Sequence, residues 1–217
     1  MQLLRKVYYR FKVAIAYLQS PRYAIKRGYI HRKRIKTFND NSLTDEYQNE
    51  VYIRARELYE GKQLKSLLDV GCGSAYKLIK FFPNEQKAGV ELDIGFLNAK
   101  YPELQWFDYQ NPSWKSFKAE MLICADVIEH VQDPDVFMQT LSEHTQIKYF
   151  VFSTPERDLE NSPWTYGPPN NECHYREWSF GEFENFISNY FEIIEHIISN
   201  QEQRTQLVIC RPLHLQE

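Results

Sequence analysis

The run Leu67-Leu68-Asp69-Val70-Gly71-Cys72-Gly73-Ser74-Ala75 drives a short apolar stretch straight into two glycines and then into a helical pattern. Such a strand, glycine loop and helix allow few folds. Gly71 and Gly73 let the backbone turn sharply and come close to a ligand at the carboxyl end of a strand, where an open α/β sheet places its site. A second run ends in Gly89-Val90-Glu91, about twenty residues beyond the loop, the distance expected of an acidic residue that accepts hydrogen bonds from ribose hydroxyls. A nicotinamide enzyme would show a third glycine three residues after the second; this chain has Tyr76 there.

From Ser66 onward, short β-branched or aromatic runs alternate with helical stretches, which predicts a mainly parallel sheet with helices on both faces. The predicted strands are Ser66–Val70, Lys87–Leu92, Leu104–Phe107, Ala119–Ala125 and Lys148–Ser153. The helices follow from apolar spacing over Tyr76–Phe82, Pro134–His144 and Ser179–Tyr190, with Asp133 and Ser179 as first-turn caps. Phe191–Ile198 and Thr205–Cys210, joined by a polar turn, read as a terminal antiparallel hairpin. At 217 residues the chain has room for one such domain with decoration. Its cysteines, Cys72, Cys124, Cys173 and Cys210, show no metal-binding or disulfide spacing, so a reducing cytoplasm is the natural compartment.

The net charge of −3 hides an asymmetry: residues 1–38 carry eleven Lys or Arg and no Asp or Glu. We therefore divide the chain into a basic arm, 1–47, and a body, 48–217. In the arm, Leu3, Leu4, Val7, Phe11, Ala14, Ile15 and Leu18 form an apolar stripe at helical spacing, with Arg5, Lys6 and Lys12 off it. The longest uncharged run, Val13 to Pro21, is too short to span a bilayer. An amphipathic basic helix can lie on an anionic membrane at its inner face, contact nucleic-acid phosphates, or dock on its own domain. All three readings stand at this stage.

Three further segments complete a pattern. Leu68-Asp69-Val70-Gly71-Cys72-Gly73-Ser74-Ala75, with Ala75 in place of a usual last glycine, and Gly89-Val90-Glu91 are followed by Trp106-Phe107-Asp108, by Ala125-Asp126-Val127-Ile128-Glu129-His130-Val131, and by Ser153-Thr154-Pro155. In this order they resemble the class I S-adenosylmethionine (AdoMet)-dependent methyltransferases over roughly residues 48–211. The resemblance implies a Rossmann-like sheet and AdoMet as methyl donor. It also implies a donor site of Asp69, Gly71, Cys72, Gly73, Glu91, Leu92, Asp108, Tyr109, Ala125 and Asp126, with Glu91 on the ribose and Asp108 on the adenine amino group.

Methyl transfer asks the protein to align a nucleophile with the S–CH₃ bond and, for a hydroxyl, to remove its proton. Asp126, Glu129 and His130 stand where a base is wanted, and His130 is the candidate general base because an unperturbed imidazole titrates near neutrality. A second reading makes them a divalent metal site. Asp126-x-x-Glu129-His130 and His174-Tyr175-Arg176-Glu177-Trp178 are similar to segments of small-RNA 2′-O-methyltransferases, which implies a ligand set of Asp126, Glu129, His130 and His174. The catalytic candidates are thus His130, Asp126 and His174.

The Pro- and Asn-rich stretch from Pro155 to Trp178 is longer than a connector needs, and loops at this edge form lids or acceptor pockets. Trp164, Tyr166, His174 and Arg176 are the acceptor-side candidates; the alternative is a surface loop with Trp164 packed on the domain. Thr154-Pro155-Glu156-Arg157, Gly167-Pro168-Pro169-Asn170 and His174-Tyr175-Arg176-Glu177-Trp178 also resemble methyltransferases of glycan assembly. The acceptor expected is therefore a small molecule or glycan, lipid-linked if the arm meets a membrane. The competing class is RNA modification or nucleic-acid binding through the arm.

Overall fold

The computed structural model describes residues 20–36 and 47–213. Seven strands form one sheet: β1 (Ser66–Val70), β2 (Gln86–Glu91), β3 (Gln105–Asp108), β4 (Met121–Ala125), β5 (Tyr149–Pro155), β6 (Phe191–Asn200) and β7 (Thr205–Pro212). Their order is β3-β2-β1-β4-β5-β7-β6. β1 to β5 run parallel, while β7 pairs antiparallel with both β5 and β6. The predicted mainly parallel sheet and terminal hairpin are present. The chain leaves β1 first toward β2 and later, through β4, in the opposite direction, so a crevice opens at the carboxyl ends of β1 and β4.

Each strand's alternation divides the core into two layers. On one face Leu68, Val70, Leu122, Cys124, Phe150 and Phe152 pack under α4 (Pro134–Ser142) and α6 (Phe180–Ile187). On the other, Leu67, Met121, Ile123 and Val151 pack under α1 (Asn49–Gly61), α2 (Tyr76–Phe81) and α3 (Gly95–Lys100). A single helical turn, α5 (Arg157–Glu160), follows β5. The caps act as predicted: the Asp133 carboxylate accepts from the Val136 N–H at 3.3 Å, and the Glu182 carboxylate accepts from the Ser179 N–H at 3.0 Å.

Differences from the sequence reading concentrate at element ends and in two helices. Ala119 and Lys148 lie just outside their strands, and the helices begun at Pro134 and Ser179 stop at Ser142 and Ile187. Neither α1 nor α3 was predicted. α1 carries its apolar residues Val51, Tyr52, Ala55, Leu58 and Tyr59 among five arginines and glutamates that blur the stripe, and α3 is under two turns long.

The amphipathic stripe proposed for residues 3–18 lies outside the described residues. The described part of the arm, 20–36, is a 3-10 turn (Ser20–Tyr23) followed by irregular backbone. Ile25 and Tyr29, 2% and 0% exposed, belong to the core beside α6.

Gly89 shows how tightly the centre is packed. A Cβ built there would stand 2.6 Å from both the Cys72 sulfur and the Trp106 ring. Gly89→Ala should therefore destabilise the protein by about 1–3 kcal/mol through overpacking. Urea unfolding measures this, and an unchanged midpoint would show that Cys72 and Trp106 yield freely.

Candidate active site

β1 runs into the glycine loop because backbone bonds turn it there. The N–H groups of Gly71 and Cys72 both donate to the Val90 carbonyl, at 2.8 and 3.3 Å. Gly71, Gly73 and Ala75 take positive φ of 76°, 53° and 57°. Ala75 thus keeps the left-handed turn that glycine adopts more easily. At Gly71 a Cβ would come within 2.3 Å of Val127 in the turn after β4. Its bareness serves the contact between two loops, not only space for a ligand.

The Glu91 carboxylate holds the loop from the end of β2. One oxygen accepts from the Gly73 N–H at 3.0 Å and the other from the Leu92 N–H at 2.7 Å. A carboxylate has about four acceptor positions, so two remain for hydroxyls of a ribose. Asp108 ends β3 beside it, with one oxygen accepting from the Gln110 N–H at 2.8 Å. Tyr109 stacks on Trp114 at 5.8 Å and contacts Phe137. Asp69, fully buried in β1, receives the Tyr52 hydroxyl at 2.7 Å. Cys72 and Ala125 are buried, whereas the Leu92 side chain is 65% exposed. The predicted donor residues thus lie along the carboxyl ends of β1 to β4.

The turn after β4 meets the late loop. Among the described residues Glu129, His130 and His174 bring one ligating atom each within 4.8 Å of one another. His130 donates through Nδ1 to the Cys173 carbonyl at 2.8 Å. His174 donates through Nδ1 to the Glu177 carboxylate at 2.7 Å, and its Nε2 accepts from the Asn171 amide at 3.0 Å. Thr154 donates to Glu129 at 3.0 Å.

Two expectations need correction. Asp126, proposed as a fourth ligand, stands outside this group. At φ 51° its carboxylate turns to the Ser153 hydroxyl (2.6 Å) and the Gln48 amide (3.1 Å). Arg176 does not face an acceptor. Its guanidinium is buried, donating to the carbonyls of Val131 and Gln132 at 2.8 Å each and to His31 Nδ1 at 3.3 Å. Burial lowers its pKa to about 10, which leaves it charged at neutral pH.

Trp164 and Tyr166 do reach solvent. Trp164 is 84% exposed, so it does not pack on the domain, and the Lys26 ammonium lies 4.4 Å from the Tyr166 ring centroid. Gln48, Tyr52, Thr154 and Glu177 are site residues that sequence reasoning did not single out. Glu177 and Thr154 carried a signal, their places in the His174–Trp178 and Ser153–Pro155 segments.

This is the architecture of a class I, AdoMet-dependent methyltransferase. The chain belongs to the methyltransferase-domain family, whose model matches residues 44–198. Among curated protein sequences none matches it. Among solved structures, the methyltransferase domain of bacterial CtHen1 superposes with a TM-score of 0.56 at 20% identity, covering 76% of this chain and all of that one. The small RNA methyltransferase HEN1 gives 0.59 at 17%, covering 84% of this chain and 27% of that chain. The N-methyltransferase NodS from Bradyrhizobium japonicum WM9, in complex with S-adenosylhomocysteine, gives 0.55 at 12%, covering 81% and 95%. At these identities the likeness is one of fold.

Two predictions follow from the electrostatics. Burial, reinforced by nearby Asp126, raises the Glu129 pKa from 4.5 to about 8. Burial also raises that of Asp126, against the opposing bonds from Ser153 and Gln48. The unfolded chain then loses the Glu129 proton at a lower pH than the folded one, so this group's contribution to stability falls as pH rises from 4.5 to about 8. Glu129→Gln, melted in chelator, should gain on the wild type across that window; a constant difference in Tm would refute the shift. Separately, Glu91→Ala should weaken S-adenosylhomocysteine binding about 10- to 100-fold, the loss of one or two charged hydrogen bonds. Titration calorimetry reads it, and unchanged affinity would remove Glu91 from the donor site.

Proposed function

We propose that the protein O-methylates a small-molecule or glycan hydroxyl, which meets the Glu129, His130 and His174 cluster beside the donor. The convergence of two imidazoles and one buried carboxylate at the crevice carries this reading, because a hydroxyl must give up its proton to attack the methyl group. The loop bearing Trp164 and Tyr166 supplies exposed rings for the acceptor's body.

The donor set also fits a divalent cation. Each Nδ1 is engaged by a carbonyl or carboxylate, so Nε2 would be the ligating nitrogen, at His174 in exchange for its bond from the Asn171 amide, and Glu129 would supply an oxygen. Such an ion would lower the pKa of the acceptor hydroxyl when bound. Asp126, held by Ser153 and Gln48, shapes the turn that delivers Glu129 and His130.

The arm favours a small acceptor over a nucleic acid. Arg22 pairs with Asp133 and Asp135, Lys36 pairs with Glu172, and Lys26 and Arg32 donate to the carbonyls of Pro163 and Pro169. These four cations are engaged within the chain. Exposed Arg27, Lys33 and Arg34 remain for an anionic membrane surface. No helix among the described residues is long and apolar enough to cross a membrane.

With radiolabelled AdoMet and panels of hydroxylated small molecules, glycans and RNA, His130→Ala and His174→Ala should each lose about 100-fold in transfer while S-adenosylhomocysteine affinity stays within about twofold. Transfer to RNA alone would overturn the acceptor assignment. Because ligation needs deprotonated Glu129 and neutral imidazoles, Mn²⁺ should raise Tm more at about pH 8 than at about pH 6, and not in His174→Ala. Full activity after exhaustive chelation would eliminate the cation.

A further inference from the structure

We infer that Glu177 is the positioning residue for His174: by holding the proton on Nδ1 it makes Nε2 the lone-pair nitrogen of that ring. The inference rests on reading that cluster as the acceptor-hydroxyl site.

Glu177 is 2% exposed, and both of its carboxylate oxygens are oriented. Oε1 receives His174 Nδ1 at 2.7 Å, and Oε2 receives the Asn161 amide at 3.1 Å. Asn161 is itself turned by Asn170, whose amide donates to its side-chain oxygen. A carboxylate so placed accepts only, and the proton shared with the ring therefore lies on Nδ1. On the far side of the ring, Asn171 uses its oxygen on the Cys173 N–H at 2.9 Å, so it presents N–H to Nε2. Both neighbours select the same tautomer.

The arm seats this pair. The Glu177 N–H donates to the Tyr29 hydroxyl at 3.2 Å, and the Arg32 N–H donates to the Tyr175 carbonyl at 2.8 Å. The Tyr175 N–H in turn donates to the Glu129 carbonyl at 2.8 Å, so one backbone stretch fixes His174 relative to Glu129. Replacing the carboxylate by an amide sets two donors against each other at Asn161 or at His174; in the second case the histidine proton moves to Nε2, with the Asn171 amide turning away from the ring.

The test reads the tautomer directly, without an acceptor or a metal. Full-length protein with ¹⁵N-labelled histidine, in chelator and above the ordinary imidazole range, is compared with Glu177→Gln and Asn171→Ala; His174→Ala assigns the signals. The wild type should show Nδ1 protonated and Nε2 bare at His174. Glu177→Gln should populate the other tautomer and lower methyl transfer about 10- to 100-fold with donor affinity kept, while Asn171→Ala should retain the wild-type tautomer. A wild-type proton on Nε2, or a tautomer that follows Asn171 and not Glu177, would overturn the assignment even if Glu177→Gln does not fold. The stated tautomer with methyl transfer indifferent to His174 would instead sink the acceptor-site reading alone.

Discussion

The active site depends on one buried cation. Arg176 joins three segments that are distant in sequence: the turn after β4 through the carbonyls of Val131 and Gln132, the arm through His31, and the late loop to which it belongs. Its charge is removed from water but met by carbonyl dipoles and by the Tyr23 ring, whose centroid is 4.6 Å from the guanidinium carbon. A buried guanidinium with its partners taken away costs several kcal/mol, so these segments are held together as a unit. His130 and His174 lie one on each side of that junction, with ring centroids 4.8 Å apart.

The donor half is organised differently. Gly71, Gly73 and Glu91 are fixed by backbone bonds between adjacent parallel strands, so their geometry follows once β1 and β2 pair. The acceptor half needs contacts across more than forty residues, such as His130 to Cys173 and Tyr29 to Glu177. Burial raises the pKa of both Asp126 and Glu129, and at Glu129 the neighbouring Asp126 adds to it, so Glu129 holds its proton up to about pH 8.

Charge complementarity accounts for part of the arm's one-sided composition. Of the cations in residues 22–36, Arg22, Lys26, Arg32 and Lys36 are matched by acidic side chains and carbonyls of the body, among them Asp133, Asp135 and Glu172. Salt bridges at this exposure add little stability each. The buried Tyr29 and Ile25 anchor the segment, and the ion pairs set its register along the late loop.

The sequence by itself determined the sheet, its hairpin ending, the glycine loop and the carboxylates Glu91 and Asp108, because alternation, glycine turns and strand-end acids are local patterns that survive without knowing what packs where. His130, Glu129 and His174 were legible as a group through the resemblance of two short segments to those of small-RNA methyltransferases. It did not show α1, whose apolar stripe is interrupted by charges, nor that Asp126 turns away from the cluster while Gln48 reaches in. Arg176 illustrates the limit most clearly. An arginine in a loop beside a candidate histidine reads as a substrate contact, and only the meeting of the arm, the β4 turn and the late loop makes it a structural tie. Burial and partner are properties of distant segments brought together, so tertiary structure alone decided them.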